Sequence, residues 1–206
     1  LSLDNVGIAF ITIGAILTPF CGFAWQEFVV GSLDGVGITW LITSIIGTVI
    51  YMALSPIYQR RHFTYFGNLS ILASMLSLVE ISGSEQEYFI LSTNLTALIL
   101  LIGRIAIKQL APHLDAYLGK DFERSSLAIA VFSVIAGALM LPTTPLPISS
   151  IQVLAVMLST LAYACLYTWL NTNAYTVIIT QTLAIMTLAN ALLTFNVDTK
   201  LALYIV

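Results

Sequence analysis

Four side-chain amides interrupt stretches that are otherwise apolar or hydroxyl-bearing: Asn68 in GNLSILA, Asn94 in TNLTALIL, Gln181 in TQTLAI and Asn190 in LANALL. An amide offers two donors and one carbonyl acceptor without net charge. In hydrocarbon these groups are costly to leave unpaired. The four therefore either fasten helices to one another or form polar steps along the path of an uncharged solute. Asn68 and Gln181 fall at one depth, Asn94 and Asn190 at another, so all four are expected to point into a bundle at two levels.

Other chemistry is sparse. Glu80, Glu85 and Glu87 form an acidic cluster of the kind an enzyme acting on lipid-linked substrates would need near a membrane interface. His62 follows Arg61, and His113 sits in a charged connection; each reads as a solvated surface histidine. The sequence holds no GxxxxGKS/T, HExxH, CxxC or GxSxG pattern. No catalytic residue, cofactor or metal ligand is assigned. Cys21 and Cys165 fall toward opposite faces of the membrane and are not expected to pair.

The elements that must position these residues follow from composition. Apolar residues make up 59% of the chain and charged residues 8%, with a mean hydropathy of +0.98. Such a chain lacks the charge to cover a soluble surface and belongs in a bilayer. No nucleic-acid partner is expected. The partners implied are lipid, other membrane subunits, or the rest of a longer chain, because the sequence opens on Leu1 and stops inside the apolar run LALYIV.

A helix needs about 20 apolar residues to cross the hydrocarbon core. Runs of that kind cover residues 6–25, 35–58, 63–79, 88–107, 125–141, 148–170 and 174–195, and an eighth begins at Leu201. None alternates as the strands of a membrane barrel would. The fold class expected is all-α, a polytopic transmembrane helix bundle of seven complete spans and the start of an eighth. PTTPLP and NTN mark turns within the charge-free stretch between Arg124 and Asp198.

The stretch SLDNVGI at Ser2 recurs as SLDGVGI at Ser32. In each copy Asp4 or Asp34 stands just before a span, where it can accept from free backbone N–H groups, so the echo reads as a helix start used twice. The basic residues set the orientation. With the start of the segment on the cytoplasmic side, Arg60, Arg61, Arg104, Lys108, Lys120 and Arg124 all fall inside and only Lys200 outside. Arg104 and Glu80, the ionisable residues nearest a span's middle, reach an interface by snorkelling.

The polar connection KQLAPHLDAYLGKDFERSS divides the chain into a first four-span block over 1–110, an interfacial amphipathic connection over 111–124, and a second block over 125–206. Small residues line one face of two spans, Gly67, Ser70, Ser74 and Ser77 in the third and Thr176, Thr180, Ala184, Thr187, Ala191 and Thr194 in the seventh. Such stripes serve close helix packing or the lining of a path.

The stretch LAYACLYTWLNTNAYTVIITQTLAIMTLANALL, with Tyr and Trp at a tight polar turn between two Leu/Ala/Thr-rich spans, resembles the large uncharacterised many-span proteins of the bacterial inner membrane. The resemblance implies that location and gives no residue a role. Three classes of function fit: a carrier or flippase for a neutral or lipid-like solute, a membrane scaffold or sensor within a larger protein, and an enzyme acting on lipid-linked substrates.

Overall fold

A computed structural model describes Gly7, Ile13, Gly14 and residues 36–82, 86–140 and 150–195. All regular structure among them is helical. Six long helices run in order: α1 (Val36–Tyr58), α2 (Arg61–Ile81), α3 (Gln86–Leu110), α4 (Lys120–Met140), α5 (Ser150–Leu170) and α6 (Ala174–Thr194). They match the second to seventh expected spans. Five of them, α1, α2, α3, α5 and α6, are long and apolar enough to cross a membrane, whereas α4 opens on the charged turn KDFER. Apart from Gly7, Ile13 and Gly14, the first span lies outside the described residues, as do the eighth span, both SLD stretches, the PTTPLP break, Cys21 and Glu85.

Packing divides the chain into two compact units. One comprises Leu1–Ser84 and Ile102–Ser125, the other Glu85–Leu101 and Ser126–Val206. The division thus falls within α3 and α4. The amphipathic connection 111–124 belongs wholly to the first unit. Its backbone explains this: after Ala111 come a 3-10 turn at Pro112–Leu114 and a single π turn at Asp115–Gly119, which runs straight into α4. Pro112 cannot continue α3 and starts the new turn.

In the first unit, α1 and α2 form a hairpin. Only Gln59 and Arg60 separate them, Gln59 in the left-handed region at φ 52° and Arg60 extended. So short a link makes the two helices antiparallel neighbours. Tyr51 and Phe63 are buried there, with Leu54, Tyr58 and Phe66 packed on them. Close approach is allowed by glycine. A Cβ at Gly67 would meet Met52 Cε at 2.6 Å, and one at Gly47 would lie 3.2 Å from Ser70 Oγ. Gly67 and Ser70 of the expected small-residue stripe therefore sit at a helix contact. Ser74 and Ser77 donate to carbonyls one turn back in their own helix, at 2.9 and 2.8 Å.

In the second unit, α5 and α6 pair across the Asn171–Asn173 turn that the NTN pattern marks. Asn173 caps α6, accepting at Oδ1 from the Thr176 N–H at 2.9 Å while its own N–H donates to Thr176 Oγ1 at 3.3 Å. This is a reciprocal cap. Farther along, Thr168 and Thr180 share a 2.7 Å hydroxyl bond between the two helices, while Thr180 lies 2.8 Å from the Thr176 carbonyl of its own helix. The threonine stripe of α6 thereby meets α5.

Candidate functional site

The first unit holds two clusters of charged side chains. Asp121 opens α4 and is 2% exposed. Its Oδ1 accepts from the Tyr65 hydroxyl at 3.0 Å, and two guanidinium groups flank it, Arg61 Nε at 3.9 Å and Arg124 Nη1 at 3.7 Å. Asn68, also buried, donates from Nδ2 to Ser125 Oγ at 2.9 Å and to the Asp121 carbonyl at 3.5 Å. A carbonyl only accepts, so this contact fixes the amide's orientation. Its Oδ1 is buried without a hydrogen-bond partner among the described residues.

Arg104 forms the second cluster. It is buried, pairs with Asp115, and holds Glu123 at 3.5 Å from Nε. The connection folds back and brings two partly exposed carboxylates to it, which compensates the burial of its charge. Gly119 makes room for this, because a Cβ there would run into the Asp115 carboxylate and come within 2.5 Å of Arg104 Nη1. Phe122 lies against Gly103 beside the same pairs. Glu80 is exposed on the last turn of α2. His113 is exposed as expected, but His62 is half-buried with its ring 4.4 Å from that of Phe63.

The second unit holds Asn94, Gln181 and Asn190. Asn94, 4% exposed, reaches from α3 to α5 and donates from Nδ2 to Thr160 Oγ1 at 2.9 Å, Ser159 Oγ at 3.2 Å and Val156 O at 3.5 Å. Asn190 is half-buried and accepts at Oδ1 from Thr194 Oγ1 at 3.4 Å, one turn along its own helix. Gln181 departs from expectation. It is exposed, and no hydrogen bond joins it to a described residue. The inward face of α6 is the row through Thr176, Thr180 and Thr187, and Gln181 stands about 100° away from Thr180 around the helix. Its expected inward placement is wrong for that reason.

Next to Asn94 the second unit contains a cavity of about 300 Å³ lined from α3, α4, α5 and α6. Its walls are aliphatic side chains such as Leu127, Val131 and Leu183, the rings of Tyr163 and Tyr167, and the hydroxyls of Thr160, Thr168, Thr176 and Thr180. No Asp, Glu, Lys, Arg or His lines it. Tyr163 is buried with its hydroxyl 3.2 Å from Ser126 Oγ, and its ring stacks on that of Tyr167. Cys165, on the adjoining turn of α5, is an exposed free thiol.

Of the four amides, then, Asn68 and Asn94 are buried and hydrogen-bonded to later helices, Asn190 bonds locally, and Gln181 faces outward. The residues that sequence reasoning missed are Asp121 and Tyr65. One signal for Asp121 was available, its i,i+3 spacing to Arg124. No family model, curated protein or solved structure matches the chain. Function is therefore read from the chain's own residues.

Proposed function

We propose that this chain is the membrane-embedded part of a carrier or flippase-like protein for an uncharged, lipid-like solute. In this reading it crosses a bacterial inner membrane seven times and begins an eighth crossing, with its first residues on the cytoplasmic side. The observation that supports it is the second-unit cavity, walled by four helices, lined by no Asp, Glu, Lys, Arg or His, and provided with one buried amide. Membrane sites that move ions keep charged side chains in such positions. A neutral wall suits a neutral cargo, because an unpaired charge there would lose its hydration without compensation.

Reconstitution tests this. The purified chain is placed in liposomes carrying a fluorescent neutral glycolipid, and the inner-leaflet fraction is followed with an impermeant quencher. Protein-dependent loss of the protected fraction is expected. A rate equal to that of protein-free vesicles overturns the carrier reading in favour of a scaffold. Orientation is tested in a cysteine-free background: single cysteines at Arg61 and Lys120 are expected to resist an impermeant thiol reagent in intact cells, while one at Glu80 reacts. The reverse pattern inverts the topology.

A further inference from the structure

We propose that the second-unit cavity binds an uncharged amphiphile with a single alkyl chain, and that Asn94 Oδ1 holds the hydroxyl or N–H donor of its head. This rests on the carrier reading of the same site and specifies the ligand that the site takes.

The orientation of the Asn94 amide carries the inference. Ser159 Oγ and Thr160 Oγ1 each donate to Val156 O at 2.8 Å. A hydroxyl has one proton, so both oxygens are left able only to accept from Asn94. The Val156 carbonyl likewise only accepts. All three contacts therefore demand the NH₂ group, and both of its protons are directed at α5. The carbonyl oxygen is turned away from them, and no described residue donates to it. Asn94 is nine-tenths buried and lines the cavity, which leaves an acceptor at the wall of an apolar chamber.

Hydrocarbon cannot satisfy that acceptor, because lipid tails carry no donor. A ligand with one donor gains a hydrogen bond that bulk lipid cannot offer, and its chain gains the aliphatic wall formed by Leu127, Val131, Ile179 and Leu183. A carboxylate head fails on two counts, since it brings a charge into a neutral wall and presents acceptors to an acceptor. Small-molecule pockets run from about 300 to 1,000 Å³. At about 300 Å³ this cavity sits at the low end, suited to one chain.

Three photoreactive probes of equal chain length, a diazirine-bearing fatty alcohol, its methyl ether and the matching carboxylate, test this on the full chain in nanodiscs. Crosslinking to Val131 and Leu183 is read by mass spectrometry. The alcohol is expected to label about fivefold more than the ether, the worth of one net hydrogen bond, and the carboxylate least of all. Asn94→Leu keeps Ser159 and Thr160 bonded within α5, and is expected to bring the alcohol down to the level of the ether. Ala164→Phe fills the cavity and is expected to abolish labelling by all three. Equal labelling by alcohol and ether on the unaltered chain overturns the proposal, as does an alcohol preference that survives Asn94→Leu. Should Asn94→Leu not fold, the three-probe comparison on the unaltered chain decides alone. Alcohol-selective labelling without lipid movement in liposomes overturns the carrier reading and leaves the binding site standing. Lipid movement without selective labelling does the opposite.

Discussion

The hydroxyls of Ser55 on α1 and Thr64 on α2 lie 2.6 Å apart, and both side chains are fully buried. The bond ties the two helices just before and just after the link at Gln59 and Arg60. Ser55→Ala and Thr64→Val each remove it and are expected to cost about 1 kcal/mol. The double substitution is expected to cost less than the sum, by about 0.6 kcal/mol, the usual coupling of such bonds in membranes. Reversible unfolding in mixed micelles measures all three, and strict additivity would show that the pair contributes nothing to the hairpin.

Arg104 holds two carboxylates in the first unit, so its removal breaks the pair with Asp115 and takes one partner from Glu123. Arg104→Leu is expected to destabilise by about 3 kcal/mol, in the range found for breaking buried pairs. Gly119→Ala is expected to lower the melting temperature strongly as well, because its Cβ would enter the space of Asp115 and Arg104. Gly67→Ala is the control. Its neighbour is the far end of flexible Met52, which can move aside, and the expected loss is under about 1 kcal/mol. Equal losses at Gly67 and Gly119 would contradict the ion-pair account.

Gln59 adopts φ 52° directly after the last turn of α1. An L side chain there carries strain that glycine avoids. Gln59→Gly is therefore expected to stabilise the chain by about 0.5 kcal/mol, net of the greater freedom glycine gives the unfolded state. A lower melting temperature would indicate that the side chain has a role at the link.

Gln181→Leu replaces an exposed amide on an apolar helix. It is expected to raise stability in lipid by about 1 kcal/mol and to leave lipid movement unchanged. Loss of movement in a stably folded Gln181→Leu variant would place this residue on a solute path after all.

The helices were legible because charge-free runs of span length have few alternatives in hydrocarbon, and the NTN turn because asparagine caps helices. Asn68 and Asn94 were legible by the same logic: an amide in an apolar run needs a partner. That logic failed at Gln181. It gives the need and not the direction, and direction depends on which face of α6 its neighbour covers. The salt bridges of Arg104 were hidden because they form only once Pro112 ends α3 and turns the chain back. Its apolar surroundings in sequence suggested escape to water and gave no sign of the two carboxylates 11 and 19 positions onward that come to it. The cavity was not legible at all, since its walls come from four separate helices.

Several buried hydroxyls here bond within their own helix: Thr96 to Ser92, Thr93 to Phe89, Ser77 to Ala73 and Thr187 to Leu183. Such groups are satisfied the moment their helix forms, and they place no demand on the order in which segments leave the insertion machinery. Asn68 and Asn94 differ. Their partners lie 57 and 65 to 66 residues further along the chain, at Ser125 and at Ser159 and Thr160. In N-to-C insertion each amide enters the membrane before the residue that will hold it has reached the bilayer. Water or the insertion machinery must shelter it meanwhile, so biogenesis, and not only the finished fold, depends at these two positions on residues synthesised two or more helices later.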